Sequence, residues 1–301
     1  MSEEKDILSQ ARDILPQGNG ISLNEEFLAK EKEVLRNAKR IVVKVGTSTI
    51  TYSNGKTHFT LIDKLARVLS DLSNSRKEIV LVSSGAIGVG VGKLNLKERP
   101  KTIREKQAVA AVGQCELMHI YSKFFGEYNK IVAQILLTQD VITDIVGCEN
   151  VINTFETLLE NGIIPIVNEN DSVSVAEIKA GQYDTFSEND TLSAIVSKLI
   201  KADLLIILSD IDGFYDSDPR TNPDSHLIRV IDEITPEIER FAGGKGTLLG
   251  TGGMQTKLKA ARIATAAGVN MVLANGSDPS IIVDILNGEF RGTLFKARKT
   301  E

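Results

Sequence analysis

From Arg40 onward, short apolar runs alternate with longer amphipathic stretches. The runs Ile41–Val45, Ile79–Val82, Ile131–Leu137, Ile163–Val167, Leu204–Leu208 and Met271–Ala274 are rich in Val, Ile and Leu and are bounded by polar residues or glycine. Continuous apolar runs of this length predict strands buried on both faces, which is the habit of a parallel sheet. Between them, helical spacing predicts helices over Leu61–Leu72, Ile103–Tyr128, Val151–Glu160, Asp190–Ile200, Thr256–Ala267 and Ser280–Leu286. Gly162, Gly268 and Gly288 follow three of them, where a left-handed residue closes a helix. The alternation predicts an α/β fold with a mainly parallel open sheet.

Two stretches depart from this rhythm. Residues 1–38 are polar at first, with Pro16 and a Gly18-Asn19-Gly20 turn. Phe27, Leu28, Glu31, Leu35 and Ala38 then recur at helical spacing, and Ser22 with Glu25 has the form of a capping box. This predicts a partly helical extension docked on the main body. Between Ser209 and Gly253 the run DSDPRTNPD marks turns, with a weak helix near Glu237.

Composition narrows the function. A chain of 301 residues with 42% hydrophobic content has material for a sizeable core. A net charge of -5 and the lack of a long Lys/Arg run argue against nucleic acid as partner. Cys115 and Cys148 are too few and too far apart for a disulfide framework, and no His stands at metal-ligand spacing. The start MSEEKD is acidic and no apolar run reaches the ~18 residues of a membrane span. A cytoplasmic protein with a small-molecule partner is expected.

Ligands of open parallel sheets bind at the carboxyl ends of the strands, where loop amides and helix N-termini converge. Here those ends run into Lys44-Val45-Gly46-Thr47-Ser48, Ser83-Ser84-Gly85-Ala86, Asn168-Glu169-Asn170-Asp171, Ser209-Asp210-Ile211-Asp212-Gly213 and Ala274-Asn275-Gly276-Ser277. Lys44 lies inside an apolar run, so its ammonium needs an anion or must snorkel into water. A phosphate beside Gly46-Thr47-Ser48 would supply the anion. The run Gly250-Thr251-Gly252-Gly253-Met254, then Gln255-Thr256-Lys257, reads as a glycine loop cradling phosphates with a lysine on the first helical turn. Neither a Walker A motif nor a G-x-G-x-x-G fingerprint is present. The acidic residues Asp171, Glu188, Asp190, Asp210 and Asp212 suit charge around Mg²⁺ and phosphate, and equally suit turns and caps. His58, His119 and His226 stand in no catalytic context.

The segments VKVGTS, VSSGAI, AAVGQ, VNENDSV, ENDTLSA, LSDIDGFYDSDPRTNP, GTGGMQTK and ANGS, in this order, resemble the glutamate 5-kinase branch of the amino acid kinase family, from about Arg40 to the C-terminus. The resemblance implies a three-layer α/β/α sandwich over residues 39–301, with a substrate-side lobe to about residue 185 and a nucleotide-side lobe from about residue 186. It implies ATP-dependent phosphorylation of the L-glutamate side chain, with Lys44, Lys257 and Asp190 as catalytic groups. Ser84, Asp171 and Asn189 would bind the amino acid. Lys44, Ser209, Asp210, Thr251, Gly252, Gly253, Met254, Gln255, Thr256 and Lys257 would bind ATP, with Mg²⁺ carried on the nucleotide and no protein-held metal. The resemblance also suggests a homo-oligomer and proline as a feedback inhibitor.

The chain departs from the family pattern in three places. It reads Ser187-Glu188-Asn189-Asp190 where many relatives read G-D-N-D, and the stretch from Glu177 to Asn189 is longer. The C-terminal PUA domain of many bacterial relatives is not expected here, the sequence ending at Glu301, and residues 1–38 are expected to have no family counterpart. Another family activity, on aspartate, acetylglutamate, carbamate or UMP, stays open. So does a non-catalytic sensor of nucleotide or proline.

Overall fold

The computed structural model describes residues 30–52, 55–173, 189–242 and 252–298. The expected Ser22–Glu25 capping box lies outside them. Eight strands form one sheet: β1 (Arg40–Val45), β2 (Glu78–Ser83), β3 (Val132–Leu137), β4 (Ile164–Glu169), β5 (Leu204–Ser209), β6 (Val230–Ile231), β7 (Asn270–Asn275) and β8 (Gly292–Phe295). Their order is β3-β4-β2-β1-β5-β7-β8-β6. All neighbours are parallel except β7 and β8. Residues 39–185 supply the first four strands in this order and residues 186–301 the last four.

Helices cover both faces. Alternation along each strand sends successive side chains to opposite sides. Ile41, Val43, Ile79, Leu81, Ile164 and Ile166 meet the helices α3 (Phe59–Asn74), α5 (Ile103–Glu127) and α11 (Ile281–Asn287). Val42, Val80, Val82, Val167, Leu205 and Ile207 meet α7 (Ile145–Glu160), α8 (Asn189–Leu199) and α10 (Gly252–Ala266). The result is a three-layer α/β/α sandwich. Helix α1, seen over residues 30–37, buries Leu35 against the first layer, and its Glu31 pairs with Lys296 at 2.8 Å.

The six predicted strands and six predicted helices are all present, with ends shifted by a few residues. Gly162, Gly268 and Gly288 have φ of +67°, +79° and +71°, the left-handed closure that their positions suggested. The chain also forms elements that the apolar pattern did not mark: β6, β8, α2 (Thr47–Ile50), α4 (Ala86–Lys93), α6 (Gln139–Thr143) and α9 (Pro236–Ala242), the last matching only the weak signal near Glu237. Helix α4 contains three glycines, poor helix formers, and exists because they admit a neighbour. A Cβ at Gly90 would stand within van der Waals radii of the Val109 carbonyl on α5. Helix α7 starts six residues before the predicted Val151 because the Asp144 side chain caps it by accepting from Gly147 N, and its first residues Ile145 and Val146 are exposed.

Candidate active site

Strand register sets the rim. Val45 lies beside Ser83 on one side and Leu208 on the other, and Ser209 lies beside Asn275. The turns after β1, β2, β4, β5 and β7 therefore open on one edge of the sheet.

On β1, Lys44 shares the face of Val42 and so points toward α8 rather than toward solvent. It is 8% exposed, and its Nζ stands 2.6 Å from Oδ1 of Asp190, which is 4% exposed on the first turn of α8. Gly46 lies beside it, and a Cβ there would make an ordinary contact with that Nζ at 3.6 Å. Lys257 reaches the same carboxylate from α10: its Nζ lies 3.3 Å from Asp190 Oδ2 and donates to the Gly253 carbonyl at 3.1 Å. The Thr256 hydroxyl lies 3.1 Å from Oδ2 and 3.0 Å from the Gly253 carbonyl. Lys44 and Lys257, 213 positions apart (257 − 44), thus meet at one anion. Two cations and one anion leave a net positive charge where the two halves of the sheet join.

Burial pushes the Asp190 carboxyl up, but the ammonium groups of Lys44 and Lys257 outweigh it and hold the group below its ordinary value of 3.8. The folded chain therefore binds this proton more weakly than the unfolded chain does. The stability it contributes is complete above 3.8 and is lost as pH falls through the lowered value. Asp190→Asn is expected to flatten the acid limb of a plot of urea midpoint against pH below about pH 4. An acid limb identical to that of the unaltered chain contradicts the pairing.

The second group of predicted residues gathers beside β2 and β4. Gly85 takes φ +101° and lets the chain turn from β2 into α4. Ser84 is buried, and its Oγ accepts from Asn189 Nδ2 at 2.8 Å. Oδ1 of Asn189 is buried and without a hydrogen-bond partner among the described residues, so the acceptor is open to a ligand's donor. Asp171 is half-buried in the turn after β4.

The third group lies beyond β5. Ser209 is buried and donates to Asp210 Oδ1 at 3.1 Å, while Asp210 Oδ2 pairs with Arg220 at 3.1 Å. Asp212 accepts from Asn275 Nδ2 at 3.0 Å and pairs with Arg291 at 3.0 Å. Gly252, Gly253, Met254 and Gln255 belong to the first turn of α10 rather than to a loop, so Lys257 sits on the second helical turn and not the first. The first amides of a helix have no partners within the helix, which is what an anion site uses. Thr251, Ser187 and Glu188 lie outside the described residues. Arg220, Arg291 and Gln114 were given no role from sequence, and Asn168 was noted only as part of the turn after β4. Among the described residues, no three His, Cys, Asp or Glu side chains converge as a metal cluster would.

Residues 39–275 match the model of the amino acid kinase family. The chain belongs to the amino acid kinase family. Within that family it is 64% identical over 270 residues to the glutamate 5-kinase of Clostridium perfringens (strain 13 / Type A), covering 90% of this chain and 100% of the relative. It is 59% identical over 270 residues to the glutamate 5-kinase of Listeria innocua, covering 90% of this chain and 97% of the relative. Solved structures with this amino acid kinase fold include carbamate kinase from Giardia lamblia bound to AMP-PNP, at TM-score 0.62 and 18% identity, covering 87% of this chain and 100% of that one. A T. acidophilum isopentenyl phosphate kinase product complex gives TM-score 0.57 at 19% identity, covering 85% of this chain and 100% of that one. Likenesses this distant speak to the fold alone. Among the described residues no helix is long and apolar enough to cross a membrane.

Proposed function

We propose that this protein is an ATP-dependent kinase that phosphorylates the side-chain carboxylate of L-glutamate, giving glutamyl 5-phosphate and ADP, the first step of proline biosynthesis. The observation that carries the reading is the single carboxylate of Asp190 gripped by both Lys44 and Lys257 at the sheet rim. The choice of glutamate follows the glutamate 5-kinases to which the chain is up to 64% identical.

The glutamate side chain, with a reference pKa near ~4.3, is already an anion at neutral pH and needs no general base. One carboxylate oxygen forms a bond to the γ-phosphorus as the bond to the ADP oxygen breaks, and ADP departs with that electron pair. The obstacle is repulsion between two anions. Lys44 and Lys257, held in place by Asp190, offset it by position and charge, without reorganising as the reaction proceeds. Mg²⁺ on the triphosphate would neutralise further charge on the β- and γ-phosphates. It would be held mainly by phosphate oxygens, because Asp190, Asp210 and Asp212 are engaged by Lys44, Lys257, Arg220 and Arg291.

The acceptor's remaining groups have counterparts on the other side of the rim. Asp171 suits the α-ammonium, the turn amides near Ser84 suit the α-carboxylate, and the open Oδ1 of Asn189 suits a donor of the amino acid. Asp171→Ala is expected to raise the KM for glutamate about 10- to 100-fold, the size of a charge-assisted contact, with kcat changed only a few-fold. A KM that stays within twofold removes Asp171 from the acceptor site. ATP is a cytoplasmic metabolite, which makes the cytoplasm the natural setting.

Measuring ADP release with ATP and Mg²⁺ across glutamate, aspartate, acetylglutamate and UMP tests the whole reading. Turnover with glutamate alone is expected, and turnover with another acceptor in its place overturns the substrate. Proline added to the same assay tests feedback inhibition.

A further inference from the structure

Ser83 on β2 and Asn168 on β4 fall in line with Leu81 and Ile166, on the face that α5 covers. They are 0% and 2% exposed. They stand at the ends of two neighbouring strands, where Val82 pairs with Val167. Ser83 directly precedes Ser84, and Asn168 stands three positions before Asp171.

Helix α5 meets each of them with a polar side chain. The Tyr121 hydroxyl, fully buried, is 2.7 Å from Ser83 Oγ. Gln114 Oε1 accepts from Asn168 Nδ2 at 3.0 Å, and Asn168 Oδ1 accepts from the Glu169 amide at 2.9 Å. The Asn168 amide is therefore fastened at both ends and has one orientation. Gln114 and Tyr121 are seven positions apart, two helical turns, and so share one face of α5. The helix comes this close through Gly113, where a Cβ would fall 1.8 Å from the carbonyl oxygen of Ala86, the first residue of α4 after the Ser84-Gly85 turn. The AAVGQ segment thus combines a glycine for close approach with a glutamine for the bond across it.

Satisfied polar pairs at buried strand ends contribute little net stability compared with apolar ones of the same shape, but they admit only one arrangement. Both pairs sit at the ends of the strands that lead to Ser84 and Asp171. We propose that Gln114 and Tyr121 are positioning residues for the acceptor amino acid. By fixing the ends of β4 and β2, they set how far its α-groups lie from Lys44 and Lys257. That distance selects the length of the acceptor's side chain, since an error of about 1 Å in placement can cost on the order of 100-fold in rate. The inference rests on the glutamate kinase reading above.

Steady-state kinetics of the full chain carrying Gln114→Met, Gln114→Glu or Tyr121→Phe tests it. Methionine keeps the length of the side chain but loses the acceptor, glutamate keeps an acceptor oxygen, and phenylalanine keeps the buried ring. Gln114→Met and Tyr121→Phe are expected to raise the KM for glutamate roughly tenfold, the size of one hydrogen-bonded contact, and to narrow the preference for glutamate over aspartate. The KM for ATP stays within about twofold, and Gln114→Glu stays nearer the unaltered protein than Gln114→Met does. An unchanged KM for glutamate, equal rises for both substrates, or a glutamate variant no better than the methionine one overturns the proposal. If the unaltered chain turns over a different acceptor, the glutamate reading fails, and the positioning claim is then judged by the same criteria on that acceptor's KM.

Discussion

Lys257→Ala is expected to lower kcat by at least ~10³ at saturating ATP and glutamate, the scale of losing a cation from a phosphoryl-transfer site. The fold should survive, because Asp190 keeps Lys44 at 2.6 Å and Lys257 adds only the longer 3.3 Å contact to that carboxylate from the second turn of α10. Stopped-time ADP release together with the far-ultraviolet circular dichroism of the variant reads both quantities. A kcat within threefold of the unaltered protein removes Lys257 from the chemistry. A collapse of secondary structure would instead make it a structural residue.

The second large effect is expected at Asp190, which on the proposed reading serves stability as well as turnover. Asp190→Asn leaves Lys44 and Lys257, largely shielded from water, facing each other without their anion. Removing one partner of a buried ion pair costs about 3–5 kcal/mol, so the urea midpoint should fall accordingly, and kcat should fall with it. On the proposed reading, ATP supplies anionic oxygens at the same place. Saturating ATP should therefore restore more of the midpoint in the variant than it adds to the unaltered protein. If the variant and the unaltered chain melt alike and respond alike to ATP, the two lysines do not depend on this carboxylate.

The parts of the fold that could be read from the chain were those in which one physical signal dominates. The Val, Ile and Leu runs of β1, β2, β4 and β5 are buried on both faces and have no competing explanation. Gly162, Gly268 and Gly288 marked helix ends because a left-handed residue is needed there. The elements that went unread are those whose stability comes from contact and not from local pattern. Helix α4 forms despite three glycines because neighbours lie close against them, Thr47 and Thr51 at Gly88, α5 at Gly90 and Gly55 at Gly92, and β6, of two residues, is held by its pairing with β8.

The candidate site divides in the same way. Lys44 could be found because a charge inside an apolar run demands a partner, and Lys257 because a lysine after GTGGM has a recognisable setting. The anion they share, Asp190, followed from the family resemblance and not from spacing, because it opens its helix in a position where caps and turn residues are common. Gln114 and Arg220 gave no local signal. Their partners, Asn168 and Asp210, are 54 and 10 positions away, and only the folded chain brings them together.

The central claim is that the two ammonium groups now sharing Asp190 act on one transferred phosphoryl group. The most direct test is a crystal structure of the complex with ADP, Mg²⁺, glutamate and aluminium fluoride, which mimics the phosphoryl group in flight. Both Lys44 Nζ and Lys257 Nζ should lie about 3 Å from the fluoride ligands, on opposite sides of the line from glutamate to ADP. A complex in which either ammonium points into a separate cleft, away from the fluoride, contradicts the account.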